Sequence, residues 1–166
     1  MISGLFKTRL GVTALIAAAL AAVAAFYMIA QKENNVSGAN KPEAKAMVKK
    51  ALAFIDQHGE QRTYVEINNR VGQFTDKDLY LVAYDMDGVV HAHGANARML
   101  GKNLVNLVDI DGKAFIQERI ELAKKHQSFW QEYKFLNPEN RRIERKTTYC
   151  ERREQLIICG GIYPES

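Results

Sequence analysis

The chain of 166 residues is 47% hydrophobic and 25% charged, with a formal net charge of +4 at pH 7. Those proportions describe an ordinary globular protein with room for one domain and a tail. Part of the charge is Lys7 and Arg9, so what the rest carries is too weak to argue for a nucleic-acid partner.

Lys7 and Arg9 precede an uncharged run from Leu10 to Ala30, closed by Gln31 and Lys32. Basic flank, apolar run and the small residues Ala22, Val23 and Ala24 fit a secretory signal, while the length also meets the roughly 20 residues that span a bilayer. The expectation for residues 1–30 is therefore a signal peptide or an N-terminal membrane anchor. Both place the domain outside the cytoplasm, either free in the periplasm or tethered to the inner membrane by residues 10–30. Residues 31–41 are polar and read as a linker, and residues 42–164 as a single domain.

Asn40 before Lys41 and Pro42 marks a helix start, because proline is tolerated in a first turn. Ala44, Val48, Ala51, Leu52 and Ile55 then recur at helical spacing up to a stop near His58 and Gly59, with Lys45, Lys49, Lys50 and Asp56 on the other side. A shorter helix is expected over Glu60 to Asn69, and Val71 to Asp76 reads as a loop.

Leu79 to Asp85 and Val89 to His93 are rich in strand formers and flank Asp85-Met86-Asp87-Gly88, a hairpin turn. Alternation puts Tyr80, Val82 and Tyr84 on one face of the first strand and Val89, His91 and His93 on one face of the second. Asp85-x-Asp87-Gly after an apolar strand also resembles the nucleophile motif of Mg²⁺-dependent haloacid-dehalogenase-type phosphatases. That chemistry needs a helix next and a later acidic pair for the metal, and the chain continues with a strand pattern and no such pair. The two Asp-Gly sites lack the spaced oxygen ligands of a calcium loop. His91 and His93 form an i, i+2 pair, but no third metal ligand is evident and no metal is expected.

Downstream, Asp111 reads as the cap of a helix bearing Phe115, Ile116, Ile120 and Ala123 and ending in Lys124-Lys125-His126. Phe129 to Phe135 is a strand, Asn137 to Asn140 a turn, and Ile143 to Arg152 with Leu156 to Tyr163 a last hairpin. Separate helices beside runs of antiparallel strands predict an α+β fold. If Glu154-Gln155 closes that hairpin as a two-residue loop, Cys150 and Cys159 face each other, and an oxidising compartment permits a disulfide between them. A three-residue loop would separate them.

Several ordered segments resemble one family: INNRVGQFTDKDLYLVAYDMDGVVHAHGANARMLGKNL, then DIDGKAF, SFWQEYKF, KTTY and GGIY. Together they resemble the single Cache domain of type 2, a PAS-like extracytoplasmic sensory domain, from about Pro42 to Tyr163. The resemblance implies an antiparallel sheet with a long N-terminal helix and a site for a small molecule, often a carboxylate or related metabolite. It departs from the family's usual pattern at Phe129, Phe135 and Arg145, next to the expected pocket, so the ligand is not carried over. The resemblance also implies output through a partner, and with Tyr163 three residues from the end of the sequence a separate signalling or transport protein is expected.

The candidate ligand-binding residues are Tyr80, Tyr84, His93, Tyr133, Phe135, Lys146 and Tyr149. Lys146 and Tyr149 would together suit a carboxylate, but in a regular strand they face opposite sides, so joint contact requires a bulge. Tyr133 and Phe135 share a face that Trp130 does not. Tyr80 and Tyr84 serve equally as core aromatics. No nucleophile and base stand at usable spacing, so the expectation is a non-enzymatic binding and sensory module without cofactor. The alternative is a structural or interaction module whose pocket is filled by Phe129 and Phe135, dimerising through the N-terminal helix.

Overall fold

The computed structural model describes residues 21–24 and 38–164. Residues 21–24 are helical; the rest of the expected signal or anchor lies outside the described residues. Among the described residues no helix is long and apolar enough to cross a membrane. The folded domain is the compact unit that begins at Gly38.

Helix α1 spans Lys41–His58. The Asn40 side chain accepts from the Glu43 backbone N–H at 3.0 Å, and the Glu43 carboxylate accepts from the Asn40 N–H at 2.8 Å. This capping box satisfies two amides that the helix cannot. Ala44, Val48, Ala51 and Ile55 form its buried stripe. At Gly59 the chain breaks and α2 runs Glu60–Asn68. The N-terminal helical segment is thus two helices of 18 and 9 residues rather than one long helix.

One six-stranded antiparallel sheet carries the fold. Its strands are β1 (Thr75–Asp76), β2 (Leu79–Asp85), β3 (Val90–His93), β4 (Ser128–Leu136), β5 (Ile143–Arg153) and β6 (Leu156–Ile162). The order is β1-β2-β6-β5-β4, and β3 pairs with β2. Alternation is clearest in β4, where Phe129, Gln131 and Tyr133 are buried and Trp130, Glu132 and Lys134 are exposed. Helices α1 and α2 cover one face through Val48, Ala51, Tyr64 and Ile67 packed on Leu81, Ala83, Ala92, Tyr149 and Ile158. The helix comes this close because position 160 is glycine: a Cβ there would meet Leu81 Cδ2 at 3.0 Å and Val48 Cγ2 at 3.2 Å.

The other face is covered by helix α3 (Phe115–Lys125) and the irregular stretch between His93 and Phe115. Asp111 does not cap α3. The helix begins at Phe115 without a side-chain cap, and Asp111 is paired with Lys134 at 2.9 Å. Asp109 organises that approach instead, accepting from the N–H groups of Asp111, Lys113 and Lys134. These three bonds, foremost that from Lys134, hold its carboxyl below the usual range.

Glu154 and Gln155 form the two-residue turn between Arg153 and Leu156, and the resulting register pairs Cys150 with Cys159. They are joined by a disulfide with Cα atoms 4.1 Å apart. At the opposite end, the buried carboxylate of Asp78 accepts from the N–H of Ala39, just before α1, at 2.6 Å, and from that of Tyr163, just after β6, at 2.8 Å. One side chain therefore ties together the two ends of the domain.

Candidate functional site

Between the sheet and the α3 side lies an enclosed cavity of about 20 Å³, room for little more than one water. From the sheet it receives Tyr80, Val82 and Tyr84 of β2, His93 of β3, Tyr133 and Phe135 of β4, and Lys146 of β5. Phe115 of α3, Met99 at the end of a 3₁₀ turn (Ala97–Met99) and the loop residues Leu104 and Leu107 close it. Six of the seven candidate residues converge there.

Tyr149 is the exception. Strand β5 is regular from Thr147 to Arg153, so the residue three places after Lys146 turns to the helix side. There its ring lies 5.1 Å from that of Trp130 and its hydroxyl donates to Glu151 at 2.9 Å. His91 also departs from its expected face. Val82 pairs with His93 and Ala83 with Ala92, but Tyr84 pairs with Val90, leaving His91 unpaired in a bulge. His93 stays at the cavity while His91 swings out to Asp85 at 2.9 Å and stacks on Tyr64. No three His, Cys, Asp or Glu side chains converge among the described residues.

Asp85 is occupied in a way that suits a turn. Its Oδ1 accepts from the N–H groups of Asp87 and Val89, and Oδ2 meets His91. Burial pushes its pKa up, but the bonds from Val89, His91 and Asp87 outweigh that and hold it below its usual value.

Lys146 is 3% exposed. Position 161 across the sheet is glycine, and any Cβ there would lie 2.1 Å from Lys146 Cε, so the lysine's course depends on that glycine. The ammonium lies 3.8 Å from the Tyr80 ring centroid, 4.7 Å from that of Tyr163 and 5.9 Å from that of Phe135. None of the ion pairs among the described residues involves it. Burial lowers its pKa well below the ordinary value, the nearby charge of Arg119 lowers it further, and Asp78 opposes them.

His93 is held from both sides. Its backbone N–H donates to Asn68 at 2.8 Å, and its Nδ1 accepts from the N–H groups of Ala95 and Asn96 at 3.2 and 3.0 Å. With Nδ1 an acceptor, the neutral ring carries its proton on Nε2. Burial, then the positive charges of Lys146 and Arg70, lower its pKa to about 3, so it is neutral at physiological pH. Tyr80, stacked on His93 at 5.2 Å, is kept protonated by burial and by Tyr163. Tyr84 has its pKa pushed up to about 12 by burial, against the pull of Arg119.

Arg119 is the residue that sequence reading missed. It is 1% exposed, and its Nε donates to Gln131 at 3.1 Å while Nη2 has no partner. Its guanidinium lies 5.1, 5.6 and 5.3 Å from the ring centroids of Tyr84, Phe115 and Tyr133, all cavity residues. The signal was present, since Arg119 follows Phe115 by four and Ile116 by three and so falls on the buried stripe of α3.

The cavity thus offers an amine that has no ion pair among the described residues, an imidazole N–H and tyrosine hydroxyls, and no carboxylate among its lining residues. The amine, the imidazole N–H and the tyrosine hydroxyls can all donate to one ligand, which suits a carboxylate, a group that only accepts.

A family model described as Single Cache domain 2 matches residues 10–165. Among solved structures, a methyl-accepting chemotaxis protein from Vibrio parahaemolyticus RIMD 2210633 is 24% identical over 74% of this chain and 87% of that one, with a TM-score of 0.64. A structure described as the periplasmic sensor domain of a chemotaxis protein is 18% identical over 75% and 90%, with a TM-score of 0.59. One described as the structural basis for carboxylic acid recognition by a Cache chemosensory domain is 18% identical over 84% and 96%, with a TM-score of 0.60. Compared with curated proteins by sequence, the chain matches none.

Proposed function

We propose that this chain, which belongs to the Single Cache domain 2 family, binds a small carboxylate in the cavity between Lys146, His93 and the tyrosines. The domain is an extracytoplasmic small-molecule sensing module and not an enzyme. What carries the ligand class is Lys146, a buried amine among hydrogen-bond donors that has no anion of its own. The similarity to a structure described by its recognition of carboxylic acids supports the same class.

A ligand larger than the cavity enters by displacing the wall of Met99, Leu104 and Leu107, which comes from a single 3₁₀ turn and the loop after it, whereas the opposite wall is sheet. Residues 10–30 are removed on export or hold the domain to the inner membrane, which the N-terminal mass of the exported protein decides. Occupancy passes to a separate partner, and a homodimer through the N-terminal helices is one way to present it.

A thermal-shift screen of two- to four-carbon carboxylates against the matching amides tests the proposal. An acid at 100 times its dissociation constant adds about 2.7 kcal/mol, and the amides add nothing. No stabilisation by any acid, with Lys146→Ala and His93→Ala behaving as wild type, overturns it.

The small cavity volume favours a second reading, an interaction module with a vestigial pocket. Phe135 does line the cavity, whereas Phe129 is buried opposite Cys150, away from it. Metabolite retained through gentle purification separates the two readings.

A further inference from the structure

Lys146 lines the cavity and Arg119 is buried behind three of its lining rings, so two basic side chains meet it with no carboxylate among the lining residues. Lys146 is surrounded by the rings of Tyr80, Tyr163 and Phe135, and Arg119 by those of Tyr84, Phe115 and Tyr133, with no ring in common. The two groups of rings touch along one row: Phe135 lies 5.9 Å from Tyr133 and 5.8 Å from Phe115, and those two stack at 4.2 Å.

Acidic residues near each cation are engaged elsewhere. Both Asp78 oxygens hold backbone N–H groups. Glu118, next in sequence to Arg119, faces Lys113 at 2.8 Å and Gln131 at 2.7 Å. Nη2 of Arg119 is buried without a partner. Leaving a charged donor unmade in an interior is costly, and Lys146, without an ion pair on the other side of the same rings, adds to that cost.

We infer that the ligand is a small dianion with an acidic group at each end, one for Lys146 and one for Arg119, and that Arg119 selects it over the monoacid. This rests on the carboxylate reading above. The second acid reaches the guanidinium past Tyr84 and Tyr133, whose rings lie against it. Arginine suits this end because its charge persists under burial and its planar donors match a carboxylate.

Calorimetric titration with propanoate, propanedioate and the monomethyl ester of propanedioate, repeated with the four-carbon set, tests the inference at fixed ionic strength. The diacid is expected to bind wild type at least about tenfold more tightly than the monoacid or the half-ester, the worth of one charge-assisted hydrogen bond. In Arg119→Gln the ratio of diacid to monoacid affinity falls to within about threefold, the remaining charge effect being nonspecific. Equal affinities in wild type, or a ratio unchanged in Arg119→Gln, overturn the inference while leaving the carboxylate reading in place. No binding by any acid overturns both. Should neither Arg119→Gln nor Arg119→Met fold, the wild-type comparison of diacid with half-ester decides alone.

Discussion

Replacing Lys146 by methionine separates binding from folding, because the two are expected to move in opposite directions. The side chain is 3% exposed and its amine has no counter-charge. Burying an ammonium costs several kcal/mol after relaxation, and the surrounding rings return about 2 kcal/mol. Methionine keeps the length and shape and removes the charge, so the empty protein is expected to gain about 1–3 kcal/mol, with the melting temperature rising by several degrees. The gain depends on pH in a fixed sense. Below the depressed folded pKa both states hold the proton and the penalty is full. Between it and the ordinary lysine value near ~10.4 the unfolded chain holds more protons, so wild-type stability climbs with pH. The gap between the two proteins therefore shrinks as pH rises. Urea denaturation of both from pH 6 to 10 without ligand measures it. A methionine variant less stable than wild type by about 1 kcal/mol or more, or a gap flat in pH, would show instead that the ammonium is compensated.

The neutral histidine predicts an acid limb. With its folded pKa near 3, His93 withholds a proton that the unfolded chain takes up below ~6.5, so stability falls from there toward pH 3 by up to roughly 5 kcal/mol. The slope is reduced in His93→Gln, compared by urea unfolding at pH 4 and 7. Asp78→Ala leaves the buried N–H groups of Ala39 and Tyr163 without an acceptor. Each costs about 1–3 kcal/mol, and hydrogen exchange rises most at those two amides. The disulfide predicts zero free thiols per chain in denatured protein purified without reductant, and a loss of at most about 3 kcal/mol on reduction, since its loop is short.

How far the sequence disclosed the fold depends on how local the signal is. Helix α1 was legible from its apolar spacing and from Asn40, because capping and amphipathicity act within a turn or two. The last hairpin was legible because a two-residue turn determines every pair after it, including Cys150 with Cys159. The face of His91 was not legible, since the bulge that displaces it arises from pairing with β2, and no glycine or proline marks it. Asp111 was mistaken for a helix cap because the bond that matters there, from Lys134 to Asp109, spans 25 residues.

The site divides in the same way. Tyr80, Tyr84, His93, Tyr133, Phe135 and Lys146 sit on strands whose alternation can be read, and they meet at one cavity. Tyr149 entered the set through the KTTY segment although its spacing from Lys146 already set it on the other face. Arginine on a helix reads as solvated surface, which hides Arg119 although its spacing from Phe115 and Ile116 sets it on the buried stripe of α3, beneath three rings.

Whether a small acid sits against Lys146 inside the domain is decided by an NMR measurement of intermolecular contacts between a ¹³C-labelled two- to four-carbon acid and the protein. Contacts are expected from the acid's carbon-bound protons to the rings of Tyr80, Tyr133 and Phe135, and are lost in Lys146→Met. Contacts instead to Leu52 and Ala123, which line the open groove beside the β5–β6 turn, or contacts that survive in Lys146→Met, would contradict that placement.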